Sequence, residues 1–425
     1  MSGLLDLPYE ILGCVFRQCN PTSWTALRES CKTLRDLIDR DHLLYKNYYI
    51  QTLDNPMHVR GPGPDAVGKQ WIDDVKRYVK MERILASTSI QEKTVHFDMI
   101  AQCILELITT AAPGYDSKNI NLLRKHFKDK QNQTVFLCDS SLFARARREH
   151  PELRSSSKKR ETNAREISAK LHCLHGKAIE EASFELGSIM YPFACSKVYD
   201  LRNYTDNTMW GPFKADGSGE VDWELAEAIM IVLTHNLRQC RIFSHRFIRP
   251  IWDMPFSGVA SNSHIAQENL HQLPSPDSML EDLYGINGTW MRVICFLDYT
   301  ELFAYNFTSV ATPRGEPRPP LNTDEAIRMI VMHIRITKIE APGPNDGQAL
   351  PVVHFHGKSR PRYAHSDPHA TAHVRGYVRL TKENEVQWTT FSIFHGDFDR
   401  HGPVGPTAFW KISDQNDLED SDPED

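Results

Sequence analysis

The chain has no apolar run long enough to cross a bilayer, which excludes a helical membrane span. Its nine cysteines lie far apart, from Cys14 to Cys295, and form no CxxC pair, so neither a disulfide framework nor a zinc ribbon is indicated. The opening Met-Ser-Gly-Leu-Leu-Asp lacks the basic start and apolar core of a secretory signal; the expected location is the cytoplasm, the nucleus or both. On that ground the glycosylation-type triplets at Asn132, Asn203, Asn287 and Asn306 read as chance matches. Positive charge is not in surplus, with 49 Lys and Arg against 55 Asp and Glu, so no nucleic-acid partner is expected. There is no Gly-rich phosphate loop, no GxSxG elbow and no kinase signature. What is present is 425 residues, 40% hydrophobic and 24% charged, enough for two or three units that each bury a core.

Residues 5 to 38 read as two short amphipathic helices. Asp6 is the expected cap of the first, Pro8 falls in its first turn, and Leu7, Ile11, Leu12, Val15 and Phe16 supply its apolar side. Asn20-Pro21 restarts the pattern as cap and first helical residue, and Trp24, Leu27, Cys31, Leu34, Leu37 and Ile38 recur at spacings of three and four. Isolated helices this short are marginal in water, so their stripes need a partner. Helical periodicity returns from 67 to 110, notably at Trp71, Val75, Tyr78 and Val79, and from 164 to 183. Residues 145 to 166 form a polar, basic connection. From 222 to 238 Asp222 caps a helix with a stripe of Ala226, Ile229, Met230, Leu233 and Leu237.

Beyond residue 285 the period becomes alternating. Candidate strands are Thr289 to Tyr299, Ile327 to Ile339, Val352 to Phe355, Val374 to Leu380 and Val386 to Phe394, which predict a largely antiparallel sheet, an incomplete barrel or sandwich. The class is α+β: residues 1–50 as a helical module, 51–185 as a helical linker region, 186–413 as a mixed domain with the sheet, and 414–425 as an acidic disordered tail.

Leu7-Pro8-Tyr9-Glu10-Ile11-Leu12, then Val15-Phe16, Pro21, Trp24, Leu27, Cys31 and Leu34, closely resembles the F-box family. That family's helices dock on a Skp-type adaptor, which links to a cullin and a ubiquitin-conjugating enzyme. The resemblance assigns Leu7, Pro8, Ile11, Leu12, Val15 and Phe16 to the adaptor-facing surface, joined by Trp24, Leu27, Cys31 and Leu34. Trp24 stands where leucine is usual and Ser30 where valine or leucine is usual.

From about 170 to 413 the chain resembles a group of fungal F-box proteins. The shared runs include Tyr199-Asp200-Leu201-Arg202-Asn203-Tyr204-Thr205, Trp210-Gly211-Pro212-Phe213, Gly288-Thr289-Trp290-Met291-Arg292-Val293 and Gly405-Pro406-Thr407-Ala408-Phe409-Trp410-Lys411. One hairpin of that pattern is missing between Gly396 and Gly402; either the sheet closes differently or coding sequence has been lost.

The resemblance implies a non-catalytic substrate receptor of an SCF-type ubiquitin ligase, with no cofactor and an unknown protein substrate. Trp210, Phe213, Trp290 and Arg292 are its candidate substrate-binding residues, because aromatics and arginine dominate recognition hot spots. Their bland alternative is a buried core. Two other functions stay open: an adaptor-bound protein that works without cullin, and a metal-dependent hydrolase on His354 and His356, which share a strand face near His365, His369 and His373. Weaker still are a thiol site in Leu171-His172-Cys173-Leu174-His175 and an acid–base pair of Asp298 and Glu301.

Overall fold

The computed structural model describes residues 5, 7–56, 67–112, 117–149, 162–176, 184–241, 254–256, 282–308, 312–313, 315–362, 371–383, 385–394 and 405–414. The chain divides into two compact units, residues 1–136 with 259–263, and residues 137–258 with 264–425. Among the described residues no helix is long and apolar enough to cross a membrane.

The first unit is helical in its described residues: α1 (Tyr9–Arg17), α2 (Pro21–Ser30), α3 (Lys32–Arg40), α4 (His42–Thr52), α5 (Val67–Ala86), α6 (Ile90–Val95), α7 (Phe97–Thr109), α8 (Lys118–His126) and α9 (Lys130–Leu137), whose last residue falls in the second unit. Asn20 caps α2 through a 2.8 Å bond from the Ser23 N–H, with Pro21 as the first helical residue. The second expected helix is two. Cys31 leaves the helix in an extended conformation, and its Sγ accepts from the Leu34 N–H at 3.4 Å, ending α2 and starting α3. Pro8, not Asp6, stands at the N-cap of α1, and Asp6 lies outside the described residues.

A buried carboxylate fixes the end of α4. Asp54 accepts from the N–H groups of Ala112 (2.9 Å), Lys118 (3.0 Å) and Asn119 (3.3 Å) and from Ser117 Oγ (2.5 Å), so a negative charge sits at the N-terminus of α8. Asn119 closes the node, accepting from the Asp54 N–H and donating to Leu107 O. Tyr49 on α4 meets Trp71 on α5 edge to face at 5.2 Å.

The second unit has helices α10 (Ser141–Glu149), α11 (Thr162–His175), α12 (Phe184–Val198), α13 (Trp223–Gln239) and α14 (Tyr299–Phe303, prolonged by a π turn over Ala304–Thr308). Its strands are β1 (Gly288–Phe296), β2 (Ala326–Glu340), β3 (Val352–Pro361), β4 (Ala372–Leu380), β5 (Val386–Phe394) and β6 (Thr407–Ser413). They form one antiparallel sheet, a curled half-barrel, in the order β5-β4-β3-β2-β1-β6. β6 was not among the strands read from sequence; it returns to pair with β1 and covers that edge.

Strand periodicity sorts the core. Met291, Val293 and Cys295 of β1, Met329 of β2 and Trp410 of β6 pack with Leu233 and Leu237 of α13. Their neighbours Trp290, Met332 and Ile334 join Val353, Phe355, Val374 and Val378 on the other face. α13 also buries Ala228, Ile231 and Val232 against α10 and α12. It is therefore apolar on two sides, and the single stripe read from sequence is corrected: Ala226, Ile229 and Met230 are only half-buried, because the helix sits between a helical layer and a sheet. All four asparagines of the glycosylation-type triplets bond to the fold, Asn132 Nδ2 to Leu85 O and His126 O, Asn203 Nδ2 to Lys197 O, Asn306 Nδ2 to Tyr199 O, and Asn287 Oδ1 to the Ile336 N–H.

Candidate functional site

Five apolar residues on the first turns of the chain are too many for one helix face, and α1 divides them. Leu12 and Phe16, one turn apart, point inward, with Phe16 only 1% exposed. Ile11 and Val15, each one residue earlier, point out, with Ile11 49% exposed. Leu12, Phe16, Trp24 and Leu34, expected on a docking surface, are thus interior residues of the module in this structure. Trp24 shows why: its indole N–H donates to Phe16 O at 2.8 Å, and its ring meets Tyr45 and Tyr48 of α4 edge-on at 5.3 and 5.4 Å. Tryptophan in place of leucine gives the module a polar tie between α1 and α2 and an aromatic contact with α4. Leu27 and Cys31 are half-buried, while Leu5, Leu7, Pro8, Tyr9, Ile11 and Val15 remain in solvent. Within eleven residues this leaves six exposed apolar side chains, with Glu10 among them, and exposed apolar residues grouped in this way mark protein interfaces.

The four candidate substrate-binding residues of the second unit do not converge. Trp290 belongs to the sheet's core cluster, 5.1 Å from Trp388 and 5.7 Å from Phe409, with its indole N–H on Ile286 O. It is a structural residue. Arg292 is half-buried and donates to Thr407 Oγ1 at 2.9 Å, and burial holds its guanidinium below its ordinary pKa. Phe213 is half-buried beside a bridge to Val221. Trp210 alone is fully presented, 68% exposed. Its backbone and that of Met209 are both left-handed, with φ of 56° and 49°. Two consecutive bulky residues in that region carry strain on the order of 1–3 kcal/mol each.

Thr205 and Asn207, just before this turn, belong to the wall of a cleft of about 830 Å³ that sequence reading missed. Asp200 is its organising charge. Arg202 grips the carboxylate with Nε (2.9 Å) and Nη2 (2.7 Å), and Arg318 adds Nε at 3.2 Å. Burial opposes ionisation of Asp200, but the hydrogen bonds from Arg202 and then Arg318 outweigh it and hold the carboxyl below its usual range. The same arginines fasten the chain from 305 to 318: Arg202 donates to Thr312 O, Pro313 O and Glu316 O, and Arg318 to Tyr305 O and Asn306 O. The carbonyl partners of Arg202 lie over a hundred residues away and those of Arg318 twelve and thirteen, and main-chain acceptors of this kind leave no mark in a sequence.

Behind the cleft, Glu325 receives the hydroxyls of Tyr191 and Tyr199 and the Asn236 amide (2.6 Å), tying α12 and α13 to the start of β2. Burial pushes both phenols far above their ordinary pKa, so they stay protonated and donate.

The remaining constellations are held by local partners. His354 Nε2 lies 2.8 Å from Glu340, His356 stacks on His373 at 5.7 Å, and His365 and His369 lie outside the described residues. Among the described residues no group of three ligating side chains could hold a metal ion. His172 is buried against Glu227 at 2.7 Å, and burial pushes the Cys173 thiol well up, the opposite of what a nucleophile needs. Asp298 caps α14, accepting from the Thr300 N–H at 2.8 Å.

Comparison with curated proteins and with solved structures gave no match. Residues 4–46, the span of α1 to α3 and the start of α4, match the F-box domain, and the chain is an F-box-containing protein.

Proposed function

We propose that this protein is a substrate receptor of an SCF-type ubiquitin ligase. The F-box helices dock on a Skp-type adaptor and through it on a cullin, and the region 186–413 presents a protein target to the ubiquitin-loaded enzyme. The observation that carries this reading is the exposed apolar set of Leu5 and Leu7, just before α1, and Ile11 and Val15 on α1, whose opposite side is already committed to the module's own core. Adaptor contact is then made by Leu7, Pro8, Ile11 and Val15, with half-buried Leu27 and Cys31 at the margin, while Leu12, Phe16, Trp24 and Leu34 hold that face in shape. Catalysis belongs to the partner subunits; the receptor contributes proximity, raising the effective concentration of a target lysine.

The test is co-expression of the full chain with a Skp-type adaptor and a cullin, followed by purification on the receptor. Stoichiometric recovery of both is expected. A folded chain that retains neither rejects the reading. Retention of the adaptor with cullin absent favours the alternative, an adaptor-bound protein that works outside the ligase.

A further inference from the structure

Three features of the second unit are linked through the segment 200–210. The first is the cleft, lined by five cationic side chains, Arg145, Arg148, Lys197, Arg202 and Arg318, against the carboxylates of Asp200 and Glu316. The positive surplus belongs to the lining itself; Glu149, beside Arg145, Glu224, 3.5 Å from Lys197, and Asp206, between Thr205 and Asn207, offset it at the margins. The second is Trp210. Its N–H bonds to Thr205 O and its indole to Asp206, and Thr205 and Asn207 are part of the cleft wall. The third is an aromatic ladder on α14: Tyr299, 77% exposed, stacks on Phe303 at 6.2 Å, and Phe303 meets Phe307 at 5.1 Å.

The ladder is joined to the cleft rather than remote from it. Asn306, on the turn between Phe303 and Phe307, accepts from the Leu201 N–H and gives its carbonyl to Arg318. The other side of α14, Leu302 and Tyr305, packs on the helical core, which leaves the three rings in solvent. Exposed aromatics at i, i+4 and i+8 beside a charged cleft, with a strained tryptophan on the adjoining loop, have the composition of a binding hot spot.

The state of the arginines selects the ligand. Arg202 uses all its N–H groups on Asp200 and on three carbonyls; Arg145 uses both terminal nitrogens, on Ser196 Oγ at 3.0 Å and on Arg318 O at 2.5 Å. These guanidinium groups supply field but no open fork for a phosphate. Arg148 is exposed and has no ion pair or hydrogen bond among the described residues. We propose that the cleft binds an unmodified acidic peptide segment, aspartate- or glutamate-rich, drawn in by the positive field and anchored by an apolar side chain on Trp210 and the α14 ladder. Resting on the receptor reading above, this names the class of target that receptor takes.

The probe is a fluorescein-labelled glutamate-rich peptide with a central Phe-Leu pair, titrated with the full chain bound to its adaptor. Companion peptides carry glutamine for glutamate, or phosphoserine at equal net charge. The acidic peptide should bind, the glutamine version at least about tenfold more weakly, and the phosphoserine version no more tightly than the acidic one. Phe303→Ala with Phe307→Ala, and separately Arg148→Glu, should each weaken binding about tenfold, while Arg360→Glu on β3 leaves it unchanged. Equal binding of the glutamine peptide, tenfold preference for the phosphopeptide, or no loss in the Phe303 and Phe307 variant overturns the proposal. Adaptor association is read on the same samples. Adaptor bound without peptide sinks the cleft proposal alone; peptide bound by a chain that does not hold its adaptor sinks the receptor reading alone.

Discussion

The two surfaces this chain offers differ in kind. The row at the start of the chain is aliphatic, with Leu5 and Leu7 before α1 and Ile11 and Val15 on it exposed over a core of Leu12 and Phe16. The cleft of the second unit is aromatic and charged, with its arginines held by Asp200 and by carbonyls of the 305–318 segment. A mainly aliphatic face, with Glu10 its one exposed charge between Leu7 and Val15, suits a constant partner, since its affinity comes chiefly from area removed from water and depends little on salt. A charged cleft with aromatic anchors suits exchangeable ligands, whose affinity tracks ionic strength. Under the proposed function, the contrast assigns attachment and selection to different physical forces within one chain.

The sharpest way to break that contrast is on α1 itself. Phe16→Asp places a charge in the module's interior and should cost about 4 kcal/mol or more, from the lost ring and the unpaired carboxylate; thermal unfolding followed by circular dichroism should show loss of the first transition. An unchanged melting curve would mean that Phe16 faces a partner and not the core.

Next in size is the organising charge of the cleft. Arg318→Ala leaves the Asp200 carboxylate short of one buried partner and should destabilise the second unit by about 3 kcal/mol, measured by urea unfolding. The pH dependence has a definite sign. Because the folded carboxyl titrates below its ordinary value near 3.8, its stabilising contribution is complete above that value and is lost as pH falls through the lower, folded pKa. Asp200→Asn should remove that acid-side slope, and a slope that persists would place its origin elsewhere.

Trp24→Leu restores the residue usual in the family and should cost about 2 kcal/mol, through the lost bond to Phe16 O and the contacts with Tyr45 and Tyr48. Adaptor affinity should be nearly unchanged, as checked by calorimetry on the folded variant. The smallest effect is the salt contrast itself. Between roughly 0.05 and 0.5 M ionic strength, acidic-peptide binding should fall about tenfold and adaptor binding less than about twofold. Equal salt sensitivity would erase the distinction between the surfaces.

How much of this was legible in the sequence follows from the range of the forces involved. The F-box helices were readable because spacing, Pro8 and the Asn20-Pro21 cap act within a few residues. Which apolar residues face inward was not, since Ile11, Leu12, Val15 and Phe16 with Leu7 before them surround much of α1, and its rotation is set by later residues, such as Trp24, which bonds Phe16 O. Five strands declared themselves by alternation. The sixth, Thr407–Ser413, alternates equally well, with Ala408, Trp410 and Ile412 on one face, and was overlooked because it is short and far from its partner β1. Trp290 reads from sequence as either a contact residue or a core one, because type alone cannot separate a hot-spot tryptophan from a core one; Trp388 and Phe409, which enclose it, lie about a hundred residues later. The cleft depends on pairs such as Asp200 with Arg318 and stayed invisible. The ladder Tyr299, Phe303, Phe307 did leave a signal, three aromatics at spacings of four, that a search for helical periodicity in the strand-rich half would have found.

The most direct measurement of the central claim is the affinity of the Ile11→Asp, Val15→Asp double variant for the Skp-type adaptor, with its melting curve taken alongside. Both side chains are exposed, so the variant should fold with stability within about 1 kcal/mol of the parent and bind the adaptor at least about a hundredfold more weakly. A stable variant that binds as tightly as the parent would show that this face of α1 meets no partner and would contradict the account.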